Sequence, residues 1–248
     1  MGAIYILWLR QLKRYFRSRA RIVGSLGQPV LFLVALGFGF GPIFQKAGQG
    51  NYIQFLAPGI IAMSILFTSI FSGIEIIWDK QFGFLKETLV APVSRFKIML
   101  GRTLGGATVA TLQGVIVLVI SLIIGFRPYN IGFALFAILI MLLVAVLFTA
   151  LGTAIASKLD DMQGFQLIMN FLIMPLFFLS GALFPISGLP KALVIVTSLN
   201  PLSYGVDGLR AALTGTSHFG LSMDFGVLVI IAFILVAIGS YLFSKIQI

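Results

Sequence analysis

Cysteine is absent from the 248 residues, histidine occurs once, and charged residues make up only 10% of the chain against 59% hydrophobic ones. Without cysteine there can be no disulfides, thiolate metal sites or thiol redox chemistry. His218 stands in the last loop with no second histidine to pair with, so no metal-ligand pattern is spelled out. No Gly-Lys dipeptide occurs, which excludes the G-x-x-x-x-G-K-[ST] phosphate loop and ATP hydrolysis by that route. Leu179-Ser180-Gly181 lies inside an apolar segment and is no nucleotide motif. Ionisable residues are missing from the middle of every apolar run; Glu75 comes closest, about one turn from Asp79 and Lys80 at the end of its run. That scarcity argues against proton- or ion-coupled transport, which usually needs a charged or broken-helix site near the bilayer midplane. No internal repeat or low-complexity tract is present.

What the chain does have is apolar length. With a mean hydropathy of +1.10 and 24 phenylalanines, several runs reach about 20 residues, enough to cross a hydrocarbon core of about 30 Å as a helix. The expected fold is an all-α integral membrane protein with six spans at roughly 22–44, 53–78, 104–126, 131–156, 166–184 and 225–244. The segments between them are too short to hold a soluble core of their own, so residues 1–248 read as a single membrane domain.

Six spans put both termini on one side. If that side is the cytoplasm, the outer segments hold only Lys46, Arg127, Lys191 and Arg210 out of the 17 basic residues. Retention of flanking basic residues in the cytoplasm therefore sets the orientation, and the net charge of +10 is a topology signal rather than a nucleic-acid footprint. The first 21 residues form an amphipathic helix at about 100° per residue. Tyr5, Trp8, Leu9, Leu12, Tyr15 and Phe16 fall on one face, and Arg10, Lys13, Arg14, Arg17 and Arg21 on the other. Such a helix lies in the inner interface, its arginines on anionic lipid headgroups and its rings at headgroup depth, with Trp8, Arg10, Lys13, Arg14 and Arg17 as the interfacial residues. A signal peptide is the rival, but the apolar run that follows is too long and lacks a small-residue cleavage site.

Two polar stretches carry the functional signal. In KQFGFLKETLVA, 80–91, a short helix places Phe82, Leu85 and Leu89 on one side and Lys86 and Glu87 on the other; Pro92 ends it and Ser94 caps the next helix. Within the coupling region, 79–103, this helix either is gripped by a soluble subunit or binds only lipid headgroups. The second stretch begins at Phe184 and Pro185, where the fifth span ends. The apolar piece ALVIVTSL that follows is about 12 Å long as a helix, far too short to cross. Asn200-Pro201 breaks it, and the next segment carries Tyr204 and then Asp207 and Arg210 at i, i+3. The outer region, 185–224, thus reads as a re-entrant hairpin, either a gate or a fixed lid, in which Asp207 and Arg210, if buried, are partnered by each other or by a second protomer.

The order of these features, with LVAPVSR and the pattern LSG-x-x-FP, LP, NPLSY and D-x-x-R, resembles the membrane subunits of type 2 ABC exporters, the group that includes antibiotic-, nodulation-factor- and polysaccharide-exporting permeases. The resemblance covers essentially the whole chain. It implies a permease that is not itself an enzyme and carries no cofactor, working as a homodimer with two copies of a cytoplasmic ATPase that binds ATP and Mg, in the plasma (inner) membrane of a prokaryote. It further implies ATPase coupling through Phe82, Leu85, Lys86, Glu87, Leu89, Pro92 and Arg95, a secondary contact at Lys158–Gln163, dimer contacts through the first and fifth spans, and an outer gate at Phe184, Pro185, Asn200, Pro201, Tyr204, Asp207 and Arg210. The small residues Thr103, Ala107, Ala110 and Gly114 are assigned to packing inside one protomer. A Phe-rich domain without midplane charge suits an amphipathic drug, lipid or glycolipid. A polysaccharide channel would use aromatic rings such as Phe67, Phe71, Phe177, Phe178 and Phe184, and a passive channel or scaffold without an ATPase is the alternative from another class.

Overall fold

The computed structural model describes residues 2–48 and 50–246. Among them every long element is a helix: α1 (Gly2–Arg17), α2 (Arg19–Lys46), α3 (Tyr52–Phe71), α4 (Ile74–Gln81), α5 (Phe84–Val90), α6 (Arg95–Ile124), a single 3-10 turn (Ile131–Phe133), α7 (Ala134–Ala156), α8 (Met162–Phe178), α9 (Lys191–Leu199), α10 (Pro201–Thr214) and α11 (Leu221–Ser244). Five stretches are long and apolar enough to cross a bilayer: α2, α3 with α4, α6, α7 and α11. The shorter apolar helix α8 stands where the fifth span is expected. This is a multi-pass, all-α membrane protein.

α3 lies at the centre, almost wholly buried and packed against α2, α6, α7 and α10, whereas α2 and α11 lie at the periphery. Small residues set how closely the helices approach. Between α3 and α4 the helix is interrupted at Ser72-Gly73, and a Cβ on Gly73 would stand 2.5 Å from the carbonyl oxygen of Gly152 on α7. A Cβ on Gly152 would in turn stand 2.5 Å from the carbonyl oxygen of Ile70. The two backbones touch because neither residue carries a side chain, the packing mode that lipid-embedded helices favour. Thr103, Ala107, Ala110 and Gly114 are all buried within the protomer.

α6 begins at Arg95, with Ser94 at its N-cap position, and runs unbroken into the span expected from 104, so Arg95, Lys97 and Arg102 are helical and its 30 residues extend about 45 Å, beyond the hydrocarbon core. Two boundaries differ from the sequence reading. α8 stops at Phe178, short of 184. There the hydroxyl of Ser180 bonds the carbonyl of Phe177 and Gly181 adopts φ +72, a left-handed conformation that ends the helix. The helix expected over 80–91 is split at Gly83, φ +79, so that Phe82 terminates α4 and α5 begins at Phe84.

Candidate functional site

Polar chemistry gathers at the two ends of the bundle. At the basic end, α1 lies along α6, where Gly101 and Gly105 make room for it; a Cβ on Gly105 would stand 2.6 Å from Cγ of Gln11. Trp8 Nε1 donates to Thr108 Oγ1 at 3.0 Å, and the Tyr15 hydroxyl donates to Gln113 Oε1 at 2.6 Å. Burial pushes the Tyr15 phenol up, which keeps it a donor. Trp8 and Tyr15 therefore face α6 rather than headgroups, while Tyr5, Ile6 and Phe16 remain exposed.

The basic face of α1 meets acids that the sequence reading placed at a solvated interface. Arg10 Nη2 donates to Asp79 Oδ1 at 3.1 Å, Arg14 lies 3.6 Å from Glu75, and Arg21 Nη1 donates to Glu75 Oε1 at 2.9 Å. Arg102 of α6 pairs with Asp79, and Glu75, Asp79 and Arg102 are all buried. Four arginines thus surround two carboxylates across α1, α2, α4 and α6. Lys13 and Arg17 are exposed and form no ion pair among the described residues. This cluster was missed; its signal was the opposite charge carried by the ends of two long apolar helices, with the G-x-x-x-G of residues 101–105 beside it.

Beyond the cluster, Lys80 Nζ donates to the carbonyls of Ser157 and Leu159 and to Asp160, tying α4 to the loop that holds the exposed Lys158; Gln163, also exposed, stands in the first turn of α8. On α5 the expected apolar side is not the exposed one. Leu85 is 1% exposed and Leu89 partly buried, both packed into the protein's own core, while Phe82, Phe84 and Val90 are 62%, 54% and 85% exposed beside the exposed Lys86 and Glu87. The left-handed Gly83 rotates α5 relative to α4, so the single stripe drawn through Phe82, Leu85 and Leu89 does not exist. Ala91, before the exposed Pro92, is extended, and Ser94 stands at the N-cap of α6 without a side-chain capping bond. Arg95 is engaged within the chain: its Nη1 donates to the carbonyls of Ser244 at 2.5 Å and Ile246 at 2.8 Å. A guanidinium on the carbonyls that end α11 acts as a C-terminal cap.

At the opposite end, Asn200 caps α10 by accepting from Leu202 N at 3.0 Å, with Pro201 in the first turn, and its Nδ2 donates to the Leu176 carbonyl. The Tyr204 hydroxyl donates to the Ser198 carbonyl at 2.7 Å, which clamps α9 to α10. Asp207 and Arg210 are both buried, but they are not each other's partners. Asp207 accepts from Ser217 Oγ and from the backbone N–H groups of His218 and Phe219, at 2.8–2.9 Å. Arg210 donates to the Gly181 carbonyl at 3.0 Å and lies 4.1 Å above the Phe55 ring. Their i, i+3 spacing gave proximity, and the loops that fold back over α10 took both charges. Asp224, in the first turn of α11, is wholly buried with neither oxygen meeting a donor among the described residues, and nothing in its local sequence marked it. Phe184 is exposed and Pro185 half-buried. No cluster of metal-ligating side chains occurs among the described residues.

A helical bundle with an apolar interior and charge gathered at its ends, one of them with an exposed aromatic segment between two spans, has the architecture of a membrane permease. The chain belongs to the ABC-2 type transporter family, which it matches over residues 2–214. It is similar to the putative transport permease ycf38 of Porphyra purpurea, 30% identical with 96% of this chain and 86% of that protein covered. It is 29% identical to the inner membrane transport permease YadH of Escherichia coli K12, covering 94% and 92%, and 26% identical to nodulation protein J of Rhizobium leguminosarum bv. viciae, covering 90% and 87%. It is accordingly the membrane permease component of an ABC-type transport system.

Proposed function

We propose that this permease exports an amphipathic substrate, a drug, lipid or glycolipid, from the cytoplasm or inner leaflet outward, driven by a separate cytoplasmic ATPase that holds ATP and Mg. The basic end then faces the cytoplasm with both termini, as the distribution of Lys and Arg supports. The observation that carries the reading is the exposed face of Phe82, Phe84 and Val90 beside Lys86 and Glu87. These are large apolar side chains in a charged setting, Phe84 and Val90 on the helix between Gly83 and Pro92 and Phe82 just before it, as a docking segment requires. A cleft of about 970 Å³ between Lys86, Leu89, Val90, Arg95, Lys158 and the end of α11 extends that surface. Homodimer formation is supported by the exposed apolar faces of α2 (Leu31, Phe38, Ile43) and α8 (Leu167, Phe171, Phe178). Outside, α9 and α10 form the re-entrant gate, pinned by Asn200, Tyr204, Asp207 and Arg210.

The test separates docking from folding. Phe84→Asp and Val90→Asp are expected to leave the protein inserted and monodisperse but to abolish co-purification with its ATPase, because a carboxylate in an apolar docking cleft costs several kcal/mol. Leu85→Asp is expected to lower the yield of folded protein instead. Full recovery of the ATPase with both exposed-site variants would remove the docking assignment.

A further inference from the structure

A cavity of about 210 Å³ lies where α1, α2 and α3 meet, just above the arginine cluster. Its polar lining comprises Tyr15, whose hydroxyl is engaged by Gln113, with Arg21, Ser25, Gln28, Ser64 and Thr68, and Phe67 and Phe71 form a wall with ring centroids 6.3 Å apart and planes 24° from parallel. Ser64 is 2% exposed and its hydroxyl has no partner among the described residues. The hydroxyls of Ser69, Thr149 and Thr197 are buried in the same condition, but of the four only Ser64 lines this cavity. The hydroxyls of Thr108, Thr111, Ser121, Ser157 and Thr214 all bond back to the carbonyl four residues earlier. Ser64 does not, and neither Thr68 one turn on nor the Gln28 amide facing the same space is engaged by another group among the described residues. Of the charges, Arg21 is spoken for by Glu75. What is left uncommitted is two hydroxyls and a carboxamide, neutral groups that both donate and accept, set against aromatic faces. The α2 wall is open to the exterior at Gly24, Gly27 and Gln28, all exposed.

We propose that this cavity binds the hydroxyl-bearing head group of a membrane amphiphile, such as a single sugar ring, with its acyl chains left in the bilayer. The volume is below that of sites for drug-sized molecules and suits one ring. Hydroxyls of the ligand would exchange bonds with Ser64, Thr68 and Gln28 while the ring packs on Phe67 and Phe71. The inference deepens the export reading by naming the chemistry of a head group, and it rests on that reading only for whether the bound amphiphile is cargo.

The absence of cysteine makes the test direct. Gly24 lines the cavity and a Cβ there meets nothing within 4 Å, so Gly24→Cys supplies a single thiol without a clash. The full-length variant is placed in phosphatidylcholine nanodiscs, alone or with monoglucosyldiacylglycerol or phosphatidylglycerol, and the rate of maleimide labelling is measured. The glucosyl lipid is expected to slow labelling about fivefold, the size of one or two neutral hydrogen bonds, and the further changes Ser64→Ala, Thr68→Val and Gln28→Leu to abolish that protection. Equal rates in all three discs, or protection that survives the triple change, overturns the proposal. Protection by phosphatidylglycerol alone also overturns it, since the recognised group would then be phosphate beside Arg21. Labelling requires no transport or ATPase, so a protein that exports nothing yet shows protection, or the reverse, distinguishes this failure from that of the export reading.

Discussion

The two ends of the bundle meet the same problem, buried charge, in opposite ways. At the basic end Arg10, Arg14, Arg21 and Arg102 are held by Glu75 and Asp79, side chain to side chain across four helices. At the other end Asp207 and Arg210 are held mainly by backbone N–H and carbonyl groups of the 217–219 loop and of Gly181. Side chains on separate helices can exchange partners when those helices slide, whereas a bond to backbone persists only while the chain keeps its path. The basic end is thus tied helix to helix, and the opposite end is tied to the path of its loops.

The largest effect is expected from breaking the buried pair. Arg102→Met leaves Asp79 with only the half-exposed Arg10, and loss of one partner of a buried ion pair costs about 3–5 kcal/mol. A large drop in thermal-unfolding midpoint in detergent is the expected reading, with much of it regained in the Arg102→Met/Asp79→Leu double variant. If Arg102→Met melts with the wild type, the contrast between the ends loses its energetic basis. Asp207→Ala and Arg210→Ala sharpen the comparison further. Each is expected to cost about 1–3 kcal/mol through backbone groups left unpaired. Because the two side chains have different partners, the double variant should be near the sum, with coupling below about 1 kcal/mol. A double variant no worse than either single one would restore the ion pair that their spacing suggests. The smallest effect belongs to Lys13→Gln and Arg17→Gln on the exposed, unpaired face of α1, expected within about 0.5 kcal/mol of wild type in the same melts.

The helices were legible because runs of about 20 apolar residues have few other solutions. Their ends were less so. The stop at Phe178 depends on Ser180 and on Gly181 turning left-handed, a choice the apolar run does not announce. A period sorts the residues of α1 into faces but cannot say what a face meets: Trp8 and Tyr15 meet α6, while Tyr5 and Phe16 stay exposed. Arg102 was read only as one of the basic residues that flank a span, and nothing in the sequence around it names Asp79, 23 positions earlier, as its partner. The partners of Asp207 and Arg210 came from loops ten or more residues away, which spacing within α10 could not reveal.

One side chain also decides how far a push on the 84–94 segment is transmitted. Arg95 opens α6 and at the same time grips the carbonyls that close α11, two helices whose covalent link runs through most of the protein. If the ATPase docks on this segment as proposed, a displacement at Pro92 would reach both helices together, as a tug on a shared anchor moves two moored boats, and would draw in the last helix although it lies outside the stretch matched to the family.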